Sequence, residues 1–363
     1  MRRRPSDEAG GERRVSDLPA ISLFGGAGGL DLGVERAGYR IAVALDYDRD
    51  SCATLRANFP HTPVVEGDIR AFTTKSILKA GGLARGDAAL LVGGPPCTPF
   101  SKSGNWLEYK RAGRDPEASL LDHYLRVLDE ARPCAFLLEN VYGLAYKNHN
   151  AAWFEKLLTT CRSLGYHVVQ RIILAADYGV PQRRQRVFVM GSLEREPTFP
   201  APTHGGAHET RKEWDRSLRP HVTTGEAIGD LTPRLDLGEP EEHVNGRYGH
   251  LLPGIPPGEN YLFYTDKRGH SSPLFEWRSR YWSFLLKLDP LQPSPTIQAQ
   301  PGPYVGPFHW DNRRLRLAEI KRLQTFPDDY EIIGSRRSAQ RQIGNAVPPF
   351  LAEQIARSLS EAA

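Results

Sequence analysis

Two rhythms of apolar and polar residues alternate along this chain. AISLF (20–24) is a short unbroken apolar run, followed by glycines and then by LDLGVERAG (30–38). There Leu30 and Val34 stand four apart, as on one face of a helix, and Gly38 supplies the stop. IAVALD (41–46), AALLVGG (88–94) and AFLLENV (135–141) are further apolar runs of strand length. Between the last two, SLLDHYLRVLDEA (119–131) has helical spacing, and HVVQRIIL (167–174) and RVFVMGS (186–192) complete the series. Strands that alternate with helices in this way predict an α/β fold on a doubly wound, mostly parallel sheet.

The rhythm is lost after Gly191. Residues 195–310 hold many of the 29 prolines, with repeated HG and PG turns and little periodicity. They read as a smaller, irregular, strand-rich second domain. Pattern returns in LRLAEIKRLQ (315–324) and in PPFLAEQIARSL (348–359), where Leu351, Ile355 and Leu359 share one face behind an opening proline pair. Residues 1–17, polar and rich in Gly and Arg, read as a disordered tail. The expected division is therefore a first domain of 18–192 plus 338–363 and a second of 193–337.

Composition narrows the class. At about 150 residues per domain, 363 residues suit two domains. Hydrophobic residues make up 40% and charged ones 25%, enough for a core. No window approaches the roughly 18 apolar residues of a membrane span, and the N-terminus lacks the apolar stretch of a secretory signal. Cys52, Cys97, Cys134 and Cys161 lie far apart with no CxxC pair, which argues against a disulfide scaffold and against a zinc site. A soluble, cytoplasmic protein with no membrane partner is the expectation.

The net charge of +4 suits a nucleic-acid partner without requiring one. Basic residues gather at Lys102–Arg114, at Arg183, Arg184 and Arg186, and along 313–341. Each cluster alone reads as a solvated face; three in one chain point toward a polyanion.

Candidate chemistry sits where apolar runs end. Phe24-Gly25-Gly26-Ala27-Gly28-Gly29 lies between a strand and a helix, where glycines let a ligand approach a helix N-terminus. Asp46, at the end of the second strand, is where a ribose-binding acid belongs, and Asp68 is a candidate for an adenine edge. A dinucleotide fingerprint wants a small residue at position 31, but Asp31 stands there, which favours an adenosyl cofactor over NAD. Cys97, on the proline-stiffened turn GGPPCTPFS, follows a buried strand, and Glu139-Asn140 ends the neighbouring one. A carboxyl at Glu139 would be desolvated, so that it holds its proton to higher pH and can serve as an acid.

Taken together, FGGAGGLDLG, GGPPCTPFS, LLENV, AADYGVPQRRQRVFVMG, RRLRLAEIKRLQTFPDDY and RQIGNAVPP resemble, in order, six motifs of the cytosine-C5 DNA methyltransferases of bacterial restriction–modification systems. The resemblance runs from about residue 20 to 358 apart from a variable region near 193–290. It departs at Thr98, where glutamine is commonest, and at Arg316, where a small hydroxyl residue is frequent.

This resemblance implies a mechanism. The Cys97 thiolate adds to C6 of a flipped cytosine, C5 becomes nucleophilic and takes a methyl group from S-adenosylmethionine, and elimination follows. It implies that Glu139 acts at N3, that Arg186 holds the base O2, and that Arg184 orients the nucleophile and a nearby phosphate. The cofactor residues implied are Phe24, Gly26, Gly28, Asp46, Tyr47, Asp68, Ile69, Pro95, Leu120, Asn345 and Val347. Asn345 reaches the cofactor only if the last helix returns to the first strand. Residues 102–119 resemble a catalytic flap.

The implied partner is double-stranded DNA, read by the variable region, with Arg247, Arg268, Arg278 and Arg280 as candidates among which the sequence does not choose. A monomer, with a cognate restriction endonuclease that it does not touch, completes the expectation. A tRNA methyltransferase of the same chemistry, a catalytically silent DNA-binding relative and an NAD dehydrogenase are the alternatives. The long variable region, the presence of Cys97 and Glu139, and the five later motifs weigh against them in turn.

Overall fold

The computed structural model describes residues 18–96, 119–143, 151–206, 217–231 and 242–360. Cys97, Thr98, residues 102–118 of the expected flap, and the tail lie outside the described residues.

A seven-stranded sheet forms the centre, in the order β3-β2-β1-β4-β5-β8-β6. Its strands are β1 (Leu18–Leu23), β2 (Tyr39–Asp46), β3 (Val64–Glu66), β4 (Leu90–Gly93), β5 (Ala135–Val141), β6 (His167–Leu174) and β8 (Gln185–Ser192). The two-residue β7 (Gln182–Arg183) pairs outside this sheet. β8 runs antiparallel to both its neighbours, β5 and β6, and the other pairs in the large sheet are parallel. Unbroken aliphatic runs such as LLVG suit strands covered on both faces, and all four residues of β4 are buried.

Helices cover both faces. On one side α1 (Gly29–Arg36) packs against the last helix, Pro349–Ser360, within a core that includes Val34, Leu351, Ile355 and Leu359. On the other side lie α3 (Thr74–Ala80), α4 (Ser119–Ala131) and α5 (Ala151–Ser163). Helix α2 (Arg49–Asn58) starts where the Asp48 carboxylate accepts the Ser51 N–H.

The first core extends beyond the expected domain. Phe199, Ile228, Leu288, Ile297, Leu315, Ile320, Leu323, Phe326 and Tyr330 all join it. The packing thus places the segment around α7 (Leu317–Leu323) with the central sheet, on the other side of the line drawn at 337/338. A separate third cluster comprises Leu252, Ile255, Tyr261, Leu262, Tyr264, Leu285 and Phe308.

Strand-rich this region is not. Among its described residues the strands are two residues long, β9 (His204–Gly205), β10 (Arg219–Pro220) and β11 (Ser294–Pro295), beside α6 (Thr224–Ile228) and several 3-10 turns. Proline removes ladder donors there, and aromatic edges take over as cement. Tyr248, Tyr261, Phe275, Phe284 and Tyr304 meet edge to face or tilted with centroids 5.3–5.9 Å apart.

Candidate active site

The chain leaves β1 toward β2 on one side of the sheet and later enters β4 on the other. The crevice beyond the carboxyl ends of β1 and β4 is therefore the topological switch point. Parallel register aligns what borders it: Leu23 lies beside Leu45 and Gly93, and Gly93 beside Leu138. Phe24, Asp46, Gly94 and Glu139 each follow one of these positions, so four predicted or neighbouring residues ring one crevice.

On the β1 side the glycine loop turns sharply. Phe24 adopts φ +59°, Gly26 +57° and Gly28 +74°, the left-handed region that glycine enters without strain. The Asp46 carboxylate fixes the loop: Oδ2 accepts the Gly26 N–H at 2.8 Å and Oδ1 the Asp48 N–H at 2.8 Å. Burial raises the Asp46 carboxyl above its ordinary range, against these two hydrogen bonds. A side chain at Gly26 would meet nothing within 4 Å, whereas one at Gly28 would strike the Tyr330 hydroxyl at 2.5 Å. The loop is open in front and packed behind.

The remaining predicted cofactor residues differ in setting. Tyr47 is 68% exposed, while Ile69 is buried. The Asp68 carboxylate caps a short 3-10 turn and is gripped by Arg70 Nε at 2.9 and 3.0 Å, which lowers it to about 2. Leu120 is half-buried against the second core, and Pro95 is buried.

The C-terminal segment does return to this loop. Tyr330 Oη donates to the Ala27 carbonyl at 2.6 Å, and Arg341 Nη2 to Asp48 Oδ2 at 2.7 Å. Thr54 Oγ1 donates to Gln342 Oε1 at 2.8 Å, so α2 is laced to α8 (Arg336–Asn345). A Cβ on Gly29 would lie 2.3 Å from the Val347 carbonyl, so only glycine allows the approach. Val347 itself is buried, and Asn345 is exposed.

At the β5 end stands Glu139, 8% exposed. Desolvation raises its carboxyl, and Arg186 and then Arg184 pull the other way. Arg186 Nε lies 3.0 Å from Glu139 Oε1, but that buried oxygen accepts no hydrogen bond of good angle among the described residues. The contact is an ion pair with acceptor capacity to spare. The register explains it, because Val141 of β5 faces Arg186 of β8, two residues from Glu139 on the same strand face. Gly94 leaves room for the carboxylate, since a Cβ there would sit 3.2 Å from Glu139 Oε2. Asn140 Nδ2 donates to the Pro95 carbonyl at 3.2 Å and so ties the turn leading to Cys97 to the acid's own strand.

Arg184 does not lie open to a phosphate. It is 1% exposed, and Nη1 and Nη2 donate to the Gly344 and Asn345 carbonyls at 2.9 and 3.2 Å. Gln324 Nε2 donates to the next carbonyl, Ala346, at 2.5 Å, and Gln324 Oε1 in turn accepts from Gln182 Nε2 at 2.6 Å. Three successive carbonyls of the turn before Val347 are thus gripped by side chains from the link between β7 and β8 and from the end of α7. Neither Gln182 nor Gln324 was singled out from the sequence, and a buried amide reaching across 142 residues leaves no local signal.

The basic stretch 313–341 is largely spent on internal contacts. Arg313 forks onto the buried Glu319 at 2.9 and 2.6 Å, Arg322 reaches Asp230 and Asp328, and Lys321 caps the Asp328 and Tyr330 carbonyls. Arg316, the departure from the usual hydroxyl, forks onto Glu242 at 2.8 and 3.0 Å. Its backbone N–H donates to Glu319 Oε2 at 2.7 Å, which keeps a cap on α7 without a hydroxyl. That arginine joins the variable region to the sheet domain.

Asp31, noted above only as a misfit, is fully buried beneath the loop. Neither oxygen accepts a well-formed hydrogen bond among the described residues, and burial pushes it to about 7.

The chain is 49% identical over 368 residues to the type II methyltransferase M.SacI of Streptomyces achromogenes, covering 95% of this chain and 93% of that one. It is 32% identical over 361 residues to the type II methyltransferase M.NgoPII of Neisseria gonorrhoeae, covering 95% and 96%. In fold it is similar to the crystal structure of a prophage-encoded E. coli protein described as a DNA modification methyltransferase, with a TM-score of 0.65 at 24% identity over 95% and 99% of the two chains. The profile of the C-5 cytosine-specific DNA methylases matches residues 18–361. Over that span the chain belongs to the C-5 cytosine-specific DNA methylases.

Proposed function

We propose that the crevice at the switch point holds S-adenosylmethionine and that Cys97 and Glu139 act there on a cytosine flipped out of double-stranded DNA. The observation that carries this reading is the placing of Glu139: a buried carboxyl, pushed up by desolvation, beside the glycine-proline turn that leads to Cys97 and paired with Arg186.

The cradle fits an adenosyl group. The open face at Gly26, the Asp46 carboxylate, Ile69 and the Asp68 region lie along one sheet edge, as a nucleoside requires. Phe24, Gly28, Tyr47, Pro95, Leu120, Asn345 and Val347 complete the proposed contacts. S-adenosylmethionine supplies an electrophilic methyl group on a sulfonium. Phe24 offers that cation a ring face.

The protein's own groups do the rest. Cys97 adds as thiolate to C6, which turns C5 into a nucleophile. Glu139, its carboxyl raised by burial, meets the base at N3 as charge develops there. Arg186 keeps Glu139 in place and offers its remaining donors to the base O2. Arg184 acts at one remove, by fixing the 344–346 turn.

DNA recognition falls to the variable region, 193–290, whose aromatic core also takes in Tyr304 and Phe308. Among the described residues no helix is long and apolar enough to cross a membrane. A cytoplasmic monomer that protects host DNA from a companion endonuclease is the setting we assign. Bisulfite sequencing of DNA from a host that expresses the protein tests the whole reading. A single protected sequence context, absent with Cys97→Ser, is expected; full conversion everywhere would overturn it.

A further inference from the structure

The variable region carries an exposed aromatic tip. Tyr281 is 46% and Trp282 47% exposed, and among the described residues they are the only adjacent pair of large exposed aromatics. An unpartnered tryptophan in water is unfavourable by the apolar area it shows, so a pair of this kind marks a contact surface.

The tip is held rigid from behind. Tyr261 Oη donates to the Arg278 carbonyl at 2.6 Å and accepts the Arg278 N–H at 3.2 Å. Asn260 Nδ2 donates to the Trp282 carbonyl at 2.7 Å. Tyr261 is itself wedged between Phe275 and Phe284, at 5.5 Å from each. Backbone positions 278 and 282 are therefore anchored to the aromatic core while the Tyr281 and Trp282 side chains stay about half exposed.

Charge around the tip favours a polyanion. Residues 266–282 carry Lys267, Arg268, Arg278 and Arg280 against Asp266 and Glu276. The Arg280 guanidinium lies 4.7 Å over the Tyr281 ring, which makes a flat, cationic platform. Arg268 and Arg278 pair at the surface with Glu259 and Glu276, where solvent screens the attraction, whereas the basic stretch at 313–341 is mostly engaged within the fold.

We infer that Tyr281 and Trp282 are the side chains with which the recognition region contacts bases of the DNA duplex, as a stacking wedge backed by Arg280. This inference rests on the reading above of the chain as a DNA methyltransferase. Flipping a base unstacks its neighbours, and a rigid aromatic pair beside cations gives those neighbours a surface without the entropy cost of ordering a loop. Such a wedge makes these two residues determinants of site selection.

The experiment uses full-length protein and a duplex that carries the sequence the wild type is found to methylate. Trp282→Ala and Tyr281→Ala should each raise KM for that duplex about ten- to a hundredfold, the range for loss of one base–aromatic stack. Discrimination against a scrambled duplex should shrink, while S-adenosylhomocysteine affinity stays within twofold. Trp282→Phe should recover most of the loss, and Leu291→Ala, an exposed apolar residue elsewhere (76%), should change nothing. Direct binding of a labelled duplex, read by fluorescence anisotropy, gives the same order independently of turnover. Alanine variants with KM and anisotropy within twofold of wild type would overturn the wedge. A wild type that methylates no duplex would instead overturn the reading of function beneath it.

Discussion

Arg184 and Gly344, 160 residues apart in the chain, meet through a 2.9 Å hydrogen bond from the guanidinium to the carbonyl. The same side chain takes the Asn345 carbonyl at 3.2 Å, and two residues on, at the start of β8, Arg186 pairs with Glu139. Two arginines two residues apart thus fix the acid and the turn that borders the proposed cofactor site. Arg184→Met would keep the bulk and strand those carbonyls without donors. It should cost roughly 2–4 kcal/mol of stability and weaken S-adenosylhomocysteine binding, both by calorimetry. Normal binding with a slow chemical step would place Arg184 at the base instead.

Glu139→Gln should slow single-turnover methyl transfer by roughly two to four orders of magnitude, the range for a general acid–base group. DNA and cofactor affinities should move far less. A rate within a few-fold of wild type would remove Glu139 from the chemical step.

Gly94→Ala tests the room left for that acid. The added methyl would sit 3.2 Å from Glu139 Oε2, tight enough to displace a carboxylate that is otherwise held by one ion pair. Turnover should fall by about tenfold to a hundredfold, as for a small misplacement of a catalytic group, with the melting temperature little changed. A variant of full activity would show that the carboxylate has slack.

Asp31 governs a pH dependence of stability. Its carboxyl is raised from 3.8 to about 7 by burial, with Glu35 and Asp46 adding to the effect and Ser22 opposing it. Between those pH values the folded state holds a proton that the unfolded state has released. Stability therefore falls as pH rises from about 4 to 7 and levels off above, by roughly 4 kcal/mol for this group alone. Asp31→Asn, which keeps the shape without the charge, should flatten that limb and raise the melting temperature at pH 8 relative to wild type. Parallel melting curves for the two proteins across pH 5–8 would contradict the assignment.

The parts of the fold that could be read in advance are those whose physics is local. β4 and β5 are continuous apolar runs because both faces are covered, and α4 shows its buried stripe in sequence. Helix α8, RRSAQRQIGN, gave no such stripe: its apolar residues are Ala339 and Ile343, and the rest of its buried face is the polar Ser338 and Gln342 and a glycine. Its one local sign was Ser335, whose hydroxyl accepts the Ser338 N–H at 3.2 Å. The aromatic core of the variable region was hidden for a similar reason, since Tyr248, Phe275 and Tyr304 meet through irregular turns without a period. Glu139 and Asp46 announced themselves by sitting at strand ends. Arg184's carbonyl partners and the burial of Asp31 did not, because both depend on where the distant C-terminal segment comes to rest.

The central claim is a covalent bond between Cys97 and C6 of the target cytosine. A duplex with 5-fluorocytosine at the target cannot lose fluorine as a cation, so elimination stops with the enzyme attached. With S-adenosylmethionine present, the wild type should give a denaturation-resistant complex of about 1:1 stoichiometry, as one nucleophile per site requires. Cys97→Ser should give none, because an alkoxide is barely populated near neutral pH. Cys52 and Cys161 are buried, with thiols pushed up to about 12, so serine at Cys52, Cys134 or Cys161 should leave trapping intact. An adduct that persists in Cys97→Ser, or that vanishes in one of the other three while its fold is intact, would contradict the account.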